Sequence, residues 1–519
     1  MRNAKLLLLL VIAFGTTAVD GKIITKSVKS PVGLPCSDLF SYAGKTYFCA
    51  KHPIYGEELH AYSGTGPLGT TTIIDLSAGI AGSRPFGLFE LNGFLFFFAQ
   101  TPAAGHALWR TDGTAQGTQL IRSISQSFGV YPTPIKSILD SRETVVGQIA
   151  GSVYFEGYLD PNASGNSAMP AKLFVSDGTS SGTQEVIGTT LVAGSETTAR
   201  TNYLVHNNVL YYLSDGSLNA VFGSANSLVA SLPFSAQLPK TTFTKISHLN
   251  NMVIDADGEI WLSDGSTGGT TQYRQAVDPG EPYHFLVPIA SRNNRLLYLQ
   301  HQALEASPKL MITASPSDLV LLERDSGFRL LNPDQPAFNN HILLADKLEA
   351  FTTNGTVIGT LSVPISTLYS AQQTSTGFLG FSGTPSVVGA PISLVNFNPA
   401  TLSTNLLKSG LGKPKILGES GTLTLFSNIK LNGSGEIWVT NGGVGNATLV
   451  KSGIGSVDMT PLHRLGNQNY LINTPNSLES GEIWLSNGSS AGTYRLEFEY
   501  TRSYNAAALS AIASFLLGS

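Results

Sequence analysis

Asp255, Asp257 and Glu259 fall in the run DADGE, where two carboxylates at i and i+2 precede a glycine and a third carboxylate follows it. Loops that hold Ca²⁺ often open this way, because a hard cation needs several oxygens from one short bend. The run lacks the further ligands and the distant glutamate of an EF-hand, and a hairpin turn explains it equally simply. Ca²⁺ here is the one cofactor the sequence raises. The nine histidines show no HxH or HExxH spacing, and His60 sits where other parts of the chain place a large aromatic residue. There is no G-x-S-x-G elbow, no P-loop and no dinucleotide fingerprint between a strand and a helix. Any two of the 35 acidic residues could pair for glycoside hydrolysis, but such pairing is spatial. No catalytic residue is therefore assigned, and the chemistry leans away from an enzyme.

The elements that must position these residues come from a repeat. LWRTDGTAQGT (108–118) aligns with LFVSDGTSSGT (173–183), IWLSDGSTGGT (260–270), AFTTNGTVIGT (350–360), IWVTNGGVGNA (437–447) and IWLSNGSSAGT (483–493). Weaker copies lie near His60, Val221, Met311 and Val395, giving about ten units of roughly 47 residues. Each unit reads as four short β-prone runs separated by turn signals, as in RPFGLFELNG, FLFFFAQT, HALWRTDG and GTQLIRSI. Four strands in that length make one propeller blade. The expected fold is thus all-β, a β-propeller of about ten four-stranded repeats, closed as one large ring or as two smaller ones divided near residues 240–250.

Within the motif, Asp112, Asp177 and Asp264, with Asn354, Asn441 and Asn487 as equivalents, are expected to bond the backbone amides that follow them. The next glycine supplies positive φ without steric cost. Trp109, Phe174, Trp261, Phe351, Trp438 and Trp484 occupy one position per blade, expected to face the neighbouring blade as core. The pattern resembles the ELWxxDGT-repeat proteins, exported and mostly bacterial chains. The leading Glu is matched by Glu259, Glu436 and Glu482 but is Ala107 and Lys172 elsewhere, and Asp becomes Asn in later copies. The resemblance implies an extracellular repeat-built β structure and transfers no chemistry residue by residue.

Residues 1–18 carry Arg2 and Lys5, an apolar run and small residues Thr16 and Ala18, the plan of a signal peptide cleaved after Ala18. The repeat region then occupies 19–500, and 501–519 form an apolar tail that lacks the polar spacer of a lipid-anchor signal. No later stretch reaches the roughly 20 apolar residues of a transmembrane helix. Cys36 and Cys49, the whole cysteine complement, are expected to form one disulfide closing a short local loop. Sequons at Asn162, Asn354, Asn432, Asn446 and Asn487 are candidate glycan sites in a eukaryotic secretory pathway.

A net charge of -4 leaves no basic footprint for nucleic acid, and 42% apolar content argues against wholesale disorder. Only 13% of residues are charged, about half the usual share, so the surface is mostly Ser, Thr, Asn and Gln. The favoured function is a secreted, non-enzymatic binding or surface-scaffold protein that meets an extracellular glycan or protein at the propeller rim. The alternatives are a secreted carbohydrate-active hydrolase or lyase and a structural matrix or cell-wall component. Binding residues concentrate in long loops on a rigid scaffold. The longest interval between repeats holds YLDPNASGNSAMPA, which makes Tyr158, Asp160 and Asn162 the binding candidates.

Overall fold

The structure is a computed structural model that describes residues 23–505 except 32–35, 38, 64–70, 78–79, 81, 126–143, 159–170, 190–201, 215, 233–241, 276–284, 293, 303–304, 315–316, 324–328, 331–341, 346–348, 354–359, 367, 375–376, 384–391, 399–400, 402, 421, 456–457, 466–468 and 476–480. The signal-peptide segment and residues 506–519 of the tail lie outside the described residues.

Every described strand but two belongs to a sheet of four consecutive antiparallel strands. These blades cover residues 40–74, 86–125, 144–185, 202–231, 242–274, 285–323, 329–366, 368–411, 413–455 and 460–495, numbered 1 to 10 in that order. The remaining strands, Ile23–Pro31 and Glu497–Asn505, pair with each other as a two-stranded ribbon. Residues 501–505, expected in the apolar tail, therefore belong to a strand. The cause is partner availability, since the N-terminal segment offers a nine-residue edge.

Blade 2 shows why the runs are so apolar. Phe94–Thr101 is buried on both faces: Leu95, Phe97 and Ala99 pack against Tyr47, Leu59 and Ala61 of blade 1, while Phe96 and Phe98 pack against Val153, Phe155 and Phe174 of blade 3. A strand covered on both sides loses the apolar-polar alternation of a one-sided sheet. Comparable shared cores join blades 3–4, 4–5, 5–6, 8–9 and 9–10. Packing runs across residues 240–250, where Leu213 and Leu218 of blade 4 meet Met252 and Ile254 of blade 5. Blade 10 also packs on blade 1, through Ile483, Leu485 and Leu496 against Leu39, Phe48, Ala50 and Tyr62.

Register places most of the repeat aromatics alike. The fourth residue of the second strand faces the repeat aromatic in Phe97↔Trp109, Phe155↔Phe174, Ile254↔Trp261, Phe426↔Trp438 and Ile472↔Trp484. His60, Met311 and Val395 occupy the same place opposite Phe48, Tyr298 and Gly380. In blade 4 the equivalent is Asn219, opposite Tyr212, two residues before Val221. That blade has a tight hairpin at Gly223 in place of the longer turn, so the spacing of the motif is lost there.

Antiparallel order sorts the connections onto two faces. Turns joining strands 1–2 and 3–4 lie at one end of every blade, and the 2–3 hairpins and blade-to-blade connections at the other. Several described turns of the first face are stereotyped. Asn92-Gly93, Ala150-Gly151 and Asn207-Asn208 are two-residue turns with both φ values positive, the hairpin geometry that matches strand twist.

Candidate functional site

The eight-residue 3–4 turn closes its hydrogen bonds on itself. Asp177 Oδ1 accepts from the Thr179 amide at 2.8 Å and the Thr179 hydroxyl at 2.7 Å. The Gly182 amide donates to Thr179 Oγ1, and the Thr183 hydroxyl donates to the Thr179 carbonyl. Gly178, at φ 88°, donates its amide to Ser176 Oγ. A Cβ on Gly182 would run into the Asp177 carboxylate, which is why the second glycine recurs. The same bonds recur around Asp112, Asp264 and Asn487. Asn441 keeps the amide bond, to Gly443. The turn needs only an acceptor oxygen, so Asn replaces Asp without loss. The hydroxyl and amide of Thr179 hold the Asp177 carboxyl below its ordinary range, and Asp112 and Asp264 are lowered in the same way by Thr114 and Ser266.

The leading Glu of the motif also has a structural use. Glu259 Oε2 accepts from Trp261 Nε1 at 3.2 Å and from Gln272. Glu436 Oε2 accepts from Trp438 Nε1 at 3.0 Å and from Asn428, and Glu482 Oε2 accepts from Trp484 Nε1 at 3.2 Å. Blade 2 has Ala107 in that place, and the buried Trp109 Nε1 has no partner. An unpaired buried donor costs about 1–3 kcal/mol.

The DADGE residues form a hairpin tip. Asp255 lies opposite Ile260 in the strand that Ala256 ends, Asp257 and Gly258 make a two-residue turn at φ 54° and 79°, and Glu259 is held by Trp261 and Gln272. Among the described residues no three His, Cys, Asp or Glu side chains gather where they could hold a metal ion. Tyr158 ends the second strand of blade 3, while Asp160 and Asn162 lie outside the described residues. Asn432, Asn446 and Asn487 are exposed; Asn354 lies outside the described residues, as does the side chain of Phe351. Trp109, Phe174, Trp261, Trp438 and Trp484 all pack toward the preceding blade, as core residues do. Cys36 and Cys49 are bonded.

Two strongly perturbed groups sit together in blade 1. Glu58 and His60 are the Glu and aromatic positions of blade 1, in ELH where other blades have EIW, and both are fully buried. With no indole beside it, the Glu58 carboxyl turns to the amides of Leu76 and Ser77 and the hydroxyl of Ser83. His60 Nδ1 donates to the Glu58 carbonyl at 2.8 Å, and its ring stacks on Phe48 and approaches His52. Burial pushes the Glu58 carboxyl up to about 7 against the pull of its donors, and pushes the His60 imidazole down to about 4. Perturbed pairs of this kind mark active sites when a cleft exposes them. Here neither side chain reaches solvent, so their role is in the scaffold.

Four-stranded antiparallel blades packed face to face define a β-propeller. No family model and no curated protein matches the chain. Among solved structures it is similar to a eukaryotic initiation factor at 9% identity and TM-score 0.41, covering 79% of this chain and 98% of that one. An oligogalacturonate lyase in complex with manganese aligns at 10% identity and TM-score 0.32, over 79% and 98%. Two prolyl endopeptidases are represented by an alignment at 9% identity and TM-score 0.33, covering 68% of this chain and 56% of that one. The match to the tricorn protease spans 44% of that chain. These scores are all below 0.5, and no function is taken from them.

Proposed function

We propose that the protein is a secreted, non-enzymatic binding or surface-scaffold propeller of the ELWxxDGT-repeat kind, its ten sheets forming one ring. The single ring is supported by packing that continues through residues 240–250 and joins blade 10 to blade 1. Its ligand, a glycan or a protein, is met at the rim of the face that carries the 2–3 hairpins and blade-to-blade connections. The asymmetry of the two faces carries this reading. Apart from the connection between Leu330 and Ile342, the opposite face carries short turns, and the described ones satisfy their polar groups internally, whereas the chain leaves Ser125 and returns at Thr144, and leaves Tyr158 and returns at Ala171, on the binding face. Connections of that length on a rigid frame are where recognition residues reside.

Purified residues 19–519 should bind a subset of a glycan array, assayed with and without Ca²⁺ because of Asp255, Asp257 and Glu259. Replacing 159–170 by a Gly-Ser linker of equal length should abolish the signal while leaving the fold intact by circular dichroism. Binding that survives the replacement would remove Tyr158, Asp160 and Asn162 from the site. Turnover of a bound glycan would replace the binding reading with that of a carbohydrate-active enzyme, and absence of glycan binding would leave a protein partner or a matrix role.

A further inference from the structure

Each blade is made of four consecutive strands, so no blade takes strands from both ends of the chain. Blades 10 and 1 therefore meet through side chains: Ile483, Leu485 and Leu496 on Leu39, Phe48, Ala50 and Tyr62, with Tyr62 hydrogen-bonded to Tyr494. Blade 1 is also deficient at this seam. Its first strand, Phe40–Tyr42, has three residues and pairs only with Lys45, Thr46 and Tyr47 of the eight-residue second strand. Beyond that point the edge is covered by the preceding segment: the Cys36 amide donates to the Cys49 carbonyl at 2.9 Å, and the Cys49 amide donates to Ser37 Oγ at 2.9 Å. The disulfide fastens Cys36 to Cys49, which lies between the seam residues Phe48 and Ala50. Upstream, Ile23–Pro31 is held by Glu497–Asn505, the strand that follows Leu496 of blade 10.

We propose that Cys36, Ser37 and Leu39, pinned by the Cys36–Cys49 bridge and tied through the terminal ribbon to blade 10, form a redox-sensitive clasp that closes the ring, so that reduction loosens the seam between blades 10 and 1 ahead of the other blade interfaces. The bridge completes an edge that blade 1 lacks, at the one junction where the two ends of the chain meet.

The test is hydrogen exchange read by mass spectrometry on the full mature chain, before and after treatment with a water-soluble phosphine. The phosphine takes up oxygen from water as the S–S bond is cleaved, leaving two thiols and a phosphine oxide. Exchange in peptides from 45–62 and 481–497 is expected to accelerate about a hundredfold, the scale set by a bridge closing a loop of this size. Peptides from 94–111 and 423–440 should change far less. A double Cys36→Ser, Cys49→Ser variant should show the same pattern without reductant. An equal acceleration in all four regions, or none at the seam, would overturn the clasp. The comparison within the wild-type chain stands even where the variant does not fold.

Discussion

Replacing Glu58 by glutamine is expected to stabilise the protein above pH 7 and to make it newly sensitive to acid. The carboxyl is fully buried, and desolvation raises it from 4.5 to about 7 despite donors from Ser83, Leu76 and Ser77; the nearby Asp75 adds to the rise. A carboxyl raised in the folded state binds more protons there than in the unfolded chain. Its stabilising contribution is complete below about pH 4.5 and is lost as the pH climbs through about 7. Glutamine holds the group neutral at every pH, and its carbonyl oxygen can still accept from the Ser83 hydroxyl or a backbone amide as the carboxyl does. A shift of this size corresponds to roughly 3 kcal/mol. A gain of about 2 kcal/mol at pH 8 is expected once the mismatch between the new amide and the backbone donors is allowed for. Urea midpoints of variant and wild type at pH 8 and pH 4.5 provide the check, and parallel pH profiles would refute the assignment.

His60→Phe should do the opposite. The imidazole is lowered from 6.5 to about 4, first by burial and then by the neighbouring His52, against the hydrogen bond to the Glu58 carbonyl. A base lowered in the folded state gives stability that is complete above about pH 6.5 and lost as the pH falls through about 4. In the wild type this loss is offset by the gain from Glu58 over nearly the same window, so the pair makes little net change between pH 7 and pH 4. Phenylalanine suits the position, since Phe174 fills it in blade 3 and the ring of His60 already stacks on Phe48. The variant should lose its acid penalty, by up to about 3 kcal/mol at pH 4, and retain the loss above neutrality that Glu58 imposes. The Glu58→Gln variant must slope the other way, and the double variant should be nearly flat. If His60→Phe and Glu58→Gln tilt in the same direction, the two groups do not compensate.

Much of the blade was legible because its chemistry is local. Asp177, Thr179, Gly182 and Thr183 complete their bonds within eight residues, so residue type and spacing alone specified the turn, its glycines and the interchange of Asp with Asn. The aromatic positions were legible for the same reason, except in blade 4, where a shorter turn moved the register to Asn219. The DADGE run was ambiguous because a cation loop and a hairpin tip use the same residues, and what Glu259 bonds to is a matter of the Trp261 and Gln272 side chains. Glu58 and His60 carried a signal in the ELH of blade 1, yet their burial depends on Ser83 and Leu76 folding over strand 56–62 and on blade 10 arriving from the far end of the chain.

By itself the sequence determined an all-β chain of repeated four-stranded units with self-contained turns, since strand periodicity and turn hydrogen bonds are set by neighbours a few residues apart. Only the tertiary structure decided which blades meet, how the first meets the last, and which carboxyl of the motif position is buried without an indole beside it. Those outcomes depend on packing between distant segments, as Ile483 and Leu485 on Phe48 and Tyr62 show, and no short window of sequence contains them.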